Sequence, residues 1–482
     1  MTALDSLGVD EGDAVALLMR NDIAFLEASL AIGRLGAYAV PLNRHAKQNE
    51  IRAILLDSAA KAVIAHGDLA RASGDAGVPT VIVRTPQEIV DAYGLDAGAH
   101  RVHACTREWE SWLSAHPPFT TAPRRSRGSI VYTSGTTGVP KGIQREPCAT
   151  VDQEQQLLKS LYETFGIRPG VRALICGPLY HSMQTANMRA AFSALGEDGV
   201  MVIEPRFDPE RFLRSVSEHR VTQILMVPIM FVRLLRLAQS VRRRYDLSSL
   251  EWVVHAAAPC PPDLKQRMIE WFGPVINEFY ALSETGAVTL IGPADALRKP
   301  GSVGRALPGC IVKVLGYGAQ ELPPGAEGEI AVLNPGYPDF TYRNRPEARA
   351  ALDRGGLVAT GDIGYVDADG FLFLCGRRSD MVISGGVNLF PVEIEEVLLA
   401  CPGVADCAVF GIPDEEYGEV LAAHIEPLRG VELNEAEVRA YLRERLPGLK
   451  VPKIIRFDEA LPREDSGKIF KRWLREAHGR TR

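Results

Sequence analysis

The sequence predicts an α/β protein. A large N-terminal domain of α/β layers carries a β-rich subdomain, and a hinge joins it to a small C-terminal α+β domain. Three observations carry this reading. Short apolar runs alternate with helix-patterned segments through residues 9–310, the mark of largely parallel sheets covered by helices. After Gly301 the texture changes to short alternating strands between Gly/Pro turns. A second break falls at Cys375-Gly376-Arg377-Arg378-Ser379-Asp380, beyond which the chain has its own core pattern. The 482 residues also exceed what one hydrophobic core holds. The domains are set at 1–375 and 376–482.

Taken in order, residues 15–19 read as a strand and 24–35 as a helix with an apolar face. Further short apolar runs at 62–65, 80–83, 172–175, 199–203 and 222–227 read as strands, and 128–132 as a buried one. Residues 310–314 and 328–332 belong to the β-rich stretch. In the last hundred residues, 392–399 and 438–446 are helix-patterned and 404–409 strand-like.

Hydrophobic content of 46% and charged content of 24% are ordinary for a globular protein. A net charge of −6 without a charged tail argues against nucleic acid as the main partner. Eight cysteines are scattered with no CxxC pair, so they read as buried thiols in a reducing compartment. No run of 18 apolar residues would span a membrane, and no signal peptide is visible. A cytoplasmic enzyme is expected.

The densest chemistry lies in Tyr132-Thr133-Ser134-Gly135-Thr136-Thr137-Gly138-Val139-Pro140-Lys141-Gly142. Glycines let the backbone approach a ligand, successive N–H groups form a nest for anionic oxygens, and hydroxyls add donors. Lys141 adds a mobile charge. After a strand this is a phosphate-gripping loop. It is not a Walker A loop, since Pro140 stands before the lysine and Gly142 after it.

Further segments follow. Tyr280-Ala281-Leu282-Ser283-Glu284-Thr285-Gly286 combines a ring, a hydroxyl and a carboxylate. Thr360-Gly361-Asp362 reads as a turn presenting one carboxylate with several lone pairs. The long run from Gly376 to Glu395 holds Arg377, Ser379, Asp380, Gly385 and Gly386, and Leu461–Ile469 holds Lys468. His181 follows Pro178-Leu179-Tyr180, and His255 precedes Ala256, Ala257 and Ala258, whose small side chains leave volume open. Met183, Met230 and Phe231 offer apolar walls. Arg233, Arg236, Arg242, Arg243 and Arg244, with Leu234, Leu235 and Leu237, form a basic amphipathic segment. It reads as a solvated helix face, with weak contact to anionic lipid as the other reading.

In this order, these motifs resemble the adenylate-forming superfamily of acyl-CoA synthetases, luciferases and peptide-synthetase adenylation domains. The resemblance runs from about Gly8 to the C-terminus. It departs from the pattern at Ala281 (glycine in the family), at Ser283 (threonine) and at Ser379, the pivot position, often Asp or Lys. The resemblance implies an ATP-dependent acid–CoA ligase working through acyl-AMP, with ATP, Mg²⁺ and coenzyme A. On it, Thr133, Ser134, Gly135, Thr136, Thr137, Gly138 and Lys141 hold phosphates, and Glu284 carries the metal. Tyr280 stacks on adenine, Ser283 reaches the α-phosphate, Asp362 takes the ribose and Arg377 contacts the nucleotide. Lys468 is the adenylation lysine. His181, Met183, Met230, Phe231 and Ala256–Ala258 face the acyl group. Gly385 and Gly386 line the pantetheine tunnel, and Ser379 or Asp380 is the hinge. A fatty, alicyclic or steroid-type acid is expected. Two alternatives stand beside this: a carrier-protein-loading acyl-AMP ligase, and a non-catalytic nucleotide-binding protein.

Overall fold

The computed structural model describes residues 1–73, 77–96, 98, 107–133, 140–463 and 469–479. The first sheet is parallel, in the order Tyr38–Pro41, Ala14–Leu18, Ala60–His66, Thr80–Val83, Arg107–Glu108. Every residue of Ala14–Leu18 is buried, as a central strand covered on both faces must be. The helix Ile23–Arg34 starts where the Asp22 carboxylate accepts from Ile23 N, and packs its apolar face on this sheet.

The second sheet has twelve strands. Val200–Ile203, Arg172–Ile175, Gln223–Met226, Trp252–His255 and Ile276–Leu282 run parallel. From Gly286–Ile291 onward the sheet turns antiparallel, through Ser302–Ala306, Leu372–Arg377, Leu357–Val366, Gly328–Leu333 and Ile311–Leu315. The β-rich stretch after Gly301 thus belongs to the large domain, as expected, and continues its main sheet. Ser302–Ala306 pairs on one side through Thr289↔Ala306 and on the other through Ser302↔Phe373, which joins it to the parallel strands. The switch of strand direction comes before the change of texture, at Gly286–Ile291.

A third sheet of three antiparallel strands joins Phe340–Tyr342, Lys141–Arg145 and Val131–Thr133. The strand expected at 128–132 therefore begins at Val131. Its residues are only half-buried, because a small antiparallel sheet keeps one face toward solvent; the fully buried residue is Ile130.

In the C-terminal region Val382–Ser384, Val387–Leu389, Gly418–Pro427, Val404–Asp414 and Ile454–Phe457 form a five-stranded sheet. Its two hydrophobic clusters draw only on residues from Val382 onward. The helix expected at 438–446 runs Glu435–Arg443, because Asn434 caps it by accepting from Ala436 N.

The basic amphipathic segment forms the helices Pro228–Leu235 and Gln239–Arg242. Its leucines do not face outward: Leu234 is buried, and Leu235 and Leu237 pack on the same core. Arg242 lies over the Trp271 ring, Arg244 pairs with Glu210, and Arg236 donates to Ala405 O. With its apolar side spent on the core, the segment has no face to bury in lipid. No described helix is long and apolar enough to cross a membrane.

Candidate active site

The site gathers where the second and third sheets meet. Tyr280 lies in the strand Ile276–Leu282 and is packed among Val288, Ile330, Val332 and Leu372. Its hydroxyl donates to Asp362 Oδ2 at 2.5 Å. Most of the ring is taken up by the core, so less of it than expected is open to adenine, and the hydroxyl organises Asp362. Burial, then the Asp362 charge, hold this phenol well above its usual pKa, so it stays a donor.

Asp362 does not sit in the expected turn. Thr360-Gly361-Asp362 lies inside the strand Leu357–Val366, at a break in register opposite Glu329–Ala331. Gly361 takes φ of +75°, which a side chain there would resist. A bulge of this kind re-aims a side chain beside a binding site. Asp362 N donates to Thr360 Oγ1, and Asp362 Oδ1 lies 3.4 Å from Arg377 Nε. Burial raises the carboxyl above the usual range, opposed by the Tyr280 hydrogen bond and the Arg377 charge. With one hydroxyl donated to it, the carboxylate keeps acceptor capacity for further hydroxyls.

Glu284 and Ser283 occupy the connection between Ile276–Leu282 and Gly286–Ile291. Tyr342 donates its hydroxyl to Glu284 Oε1 at 2.8 Å. Lys141, at the start of its strand, holds its ammonium 5.4 Å from the Tyr342 ring. Thr133 pairs with Lys141, so residues 133 and 141 stand on neighbouring strands, with Lys141 beside Tyr342. Ser134, Gly135, Thr136, Thr137 and Gly138 lie outside the described residues, as does Lys468. Arg145, at the end of the strand that Lys141 opens, donates to Ser283 O at 2.5 Å and Glu284 O at 2.6 Å. The sequence reading passed over Arg145 and Tyr342. The cue for Tyr342 was the alternation Phe340-Thr341-Tyr342. Arg145 gave none, since its partners lie about 140 residues away.

The acyl-side residues are less of a group. His181 stands at the N-cap of the helix Ser182–Ser193, its ring 4.4 Å from that of Tyr180. Met183 packs against both the cluster containing Met230 and Phe231 and the one containing Ala256. Phe231 is fully buried, edge-on to His255, and Met230 nearly so. These two serve as core rather than as open wall. Ala256 is buried, while Ala257, at φ of +75°, and Ala258 are exposed.

Gly385 and Gly386 form the tip of the hairpin between Val382–Ser384 and Val387–Leu389. Both are exposed, with φ of +55° and +82°, and a Cβ built on Gly386 would meet nothing within 4 Å. Ser379 and Asp380 lie in a single 3-10 turn, Arg378–Asp380, with Ser379 exposed.

Comparison with known proteins agrees with this geometry. The AMP-binding enzyme family matches residues 2–337, and the AMP-binding enzyme C-terminal domain matches 393–468. A feruloyl-CoA synthase of an Amycolatopsis species is 34% identical over 99% of this chain and 91% of its own length. A long-chain-fatty-acid–CoA ligase of Mycobacterium tuberculosis is 35% identical over 99% and 90%. Among solved structures, ATP-bound MatB from Rhodopseudomonas palustris is 29% identical with a TM-score of 0.82, covering 99% of this chain and 91% of that one. The chain thus belongs to the AMP-binding enzymes of the adenylate-forming superfamily. It is an AMP-forming acid–CoA ligase, using ATP, Mg²⁺ and coenzyme A.

The residues present fit such a metal. Glu284 Oε1 accepts from the Tyr342 hydroxyl, and Oε2 has no hydrogen-bond partner among the described residues. No cluster of three His, Cys, Asp or Glu exists there to cage an ion. One carboxylate plus substrate phosphates is how Mg²⁺ is ordinarily held.

Proposed function

We propose that this ligase activates an apolar carboxylic acid, of fatty, alicyclic or steroid type, on a site shared between residues 1–375 and 376–482. The observation that carries the acid class is the makeup of the acyl side: Met183 bridges two adjoining apolar clusters, Ala256 lies in one of them, and neither side chain is charged. The named relatives include ligases for aromatic and for fatty acids, so they support the reaction rather than one acid.

A carboxylate is a poor acyl donor because its leaving group would be oxide. Its oxygen attacks the α-phosphorus of ATP, the bond to the β-phosphate breaks, and pyrophosphate leaves. Residues 133–141 grip the β- and γ-phosphates, and the Ser283 hydroxyl meets the α-phosphate. Glu284 would hold Mg²⁺, which neutralises phosphate charge. Tyr280, Asp362 and Arg377 hold AMP. Lys468 stabilises the negative charge growing on the reacting oxygens. The CoA sulfur then bonds to the acyl carbon, the bond to AMP breaks, and the thiol proton is released. His181 borders the acyl group. Gly385 and Gly386 serve the pantetheine arm once the small domain has turned about Ser379–Asp380. The seven described cysteines, all free, support a cytoplasmic setting.

A panel of carboxylic acids assayed for CoA-thioester and AMP tests the proposal. Apolar acids should give the highest kcat/KM. Fastest turnover of short dicarboxylates would overturn the acid class, and AMP release without CoA dependence would overturn the acceptor.

A further inference from the structure

We propose that Arg145 is a positioning residue for adenylation: it pins the Ser283–Glu284 backbone to the strand that leaves the phosphate loop, and so sets where the Glu284 carboxylate and the Ser283 hydroxyl stand. This rests on the reading of Glu284 and Ser283 given above.

One guanidinium nitrogen, Nη2, donates to both Ser283 O and Glu284 O. The group lies 5.4 Å from the Tyr337 ring and 6.0 Å from the Phe340 ring. Desolvation disfavours its charge, pulling its pKa below the usual arginine value. Removing a cation from water is costly unless its hydrogen bonds are strong ones. Here the charge-assisted bonds go to two consecutive carbonyls rather than to a carboxylate. A carboxylate partner would neutralise the guanidinium. The Glu284 and Asp339 carboxylates act on it through space, without a hydrogen bond to either.

The pinned segment needs holding. It connects two antiparallel strands whose register shifts at Tyr280/Ala281. Gly286, at φ of +70°, has the Tyr337 ring where a Cβ would stand. At the other end, Arg145 is itself fixed: its carbonyl accepts from the Tyr38 hydroxyl at 2.8 Å, and it pairs with Phe340. Lys141 lies four residues back along the same strand, roughly 13 Å away at about 3.3 Å per residue. The strand is thus a strut with the foot of the phosphate loop at one end and the Glu284 backbone at the other. Tyr342, from the neighbouring strand, orients the same carboxylate at its tip.

The test compares Arg145→Met, Arg145→Lys, Glu284→Gln and the double variant Arg145→Met/Glu284→Gln in the full-length enzyme. Two half-reactions are read separately: ATP–pyrophosphate exchange with the acid, across a Mg²⁺ series, and conversion of supplied acyl-AMP with CoA. Arg145→Met should slow exchange by roughly 10–100-fold, the scale for a misplaced reacting group, and raise the Mg²⁺ needed for half-maximal rate. Conversion of acyl-AMP should change less than threefold, which also shows that the variant is folded. Arg145→Lys keeps the charge and several donors on one nitrogen but reaches less far than Nη2, and should recover only part of the loss. The double variant should lose clearly less than the product of the two single losses, the remainder being the share that runs through Ser283.

Losses that multiply in the double variant would overturn Arg145 while leaving Glu284 in its role. Full recovery by Arg145→Lys would overturn the geometric pin, and equal loss in both half-reactions would make Arg145 merely structural. A silent Glu284→Gln would sink the Glu284 reading, and the pin with it.

Discussion

The nucleotide side of the site and the glycine hairpin of the small domain are built in opposite ways. On the nucleotide side every described group is held by another from a distant part of the chain: Tyr280 by Asp362, Glu284 by Tyr342, and the Ser283–Glu284 backbone by Arg145. The Gly385–Gly386 tip touches almost nothing. A Cβ at Gly385 would meet only Tyr417 of the same domain, and one at Gly386 would meet open space. The contrast shows where preorganisation resides. On the proposed reading the large domain holds its nucleotide contacts in place beforehand, whereas the hairpin contributes only when brought to them. Positive φ at both positions is what a two-residue hairpin turn asks of its backbone, and glycine meets it; the open space over Gly386 is what leaves room for a ligand.

The first way to break this comparison is to remove the small domain's charge. Lys468→Ala should slow acyl-AMP formation by roughly 10²–10³-fold, the scale for losing one preorganised charge contact. Conversion of supplied acyl-AMP with CoA should fall far less. Equal damage to both half-reactions, read by pyrophosphate exchange and thioester formation, would mean that the lysine is not tied to the first step.

The second targets the hairpin. Gly386→Leu should leave acyl-AMP formation near wild type and slow thioester formation by about 10²-fold, because a bulky group then fills the pantetheine path. The positive φ adds local strain, so Gly386→Ala, with the same strain and little bulk, is the control. If both variants behave alike, strain rather than bulk is responsible and the hairpin has no role in the path.

Much of this was legible in advance, and the misses share a cause. Thr80–Val83 and Arg172–Ile175 have the bounds read from their apolar runs, since a central parallel strand is apolar on both faces. Asp362 was found by its tripeptide, but its setting was not. A bulge depends on the strand opposite, Gly328–Leu333, and no local pattern reports a register skip. The β-rich stretch was read as part of the large domain, but not that Ser302–Ala306 joins it to the main sheet, because that join is a pairing between distant segments. Phe231 was taken for a pocket wall because an apolar residue beside a site and one within the core have the same local pattern. Arg145 and Tyr342 went unseen for a related reason. Each acts on Glu284 across a sheet junction, a pairing that the short alternation at Phe340–Tyr342 does not report and that nothing around Arg145 reports at all.

A smaller effect sharpens the nucleotide side. Asp362→Asn keeps an acceptor for the Tyr280 hydroxyl, so the cradle should stay folded, but it removes the charge that strengthens hydrogen bonds to ribose. Losing about 1.5 kcal/mol of such bonding corresponds to roughly tenfold. It should appear as a rise in KM for ATP larger than the fall in kcat, since a ribose contact exists in ground and transition states alike. An unchanged KM would remove Asp362 from the nucleotide.

The smallest expected effect is the most discriminating, because it alters one hydrogen bond and nothing else. Tyr342→Phe keeps the ring that packs edge-on against Phe340 and stands beside Lys141, and deletes only the hydroxyl that donates to Glu284 Oε1. A neutral donor to a half-buried carboxylate contributes about 0.5–1.5 kcal/mol, or roughly 2–10-fold. If that bond orients Glu284 toward the metal, the variant needs about that much more Mg²⁺ for half-maximal adenylation, with the same rate at saturating Mg²⁺. Conversion of acyl-AMP with CoA and the unfolding temperature should stay put. A loss of rate that excess Mg²⁺ does not restore would place the hydroxyl on the substrate instead of behind the carboxylate. No change at any Mg²⁺ concentration would show that Glu284 keeps its orientation without help, and that the cradle is held by its backbone pin rather than at its tip.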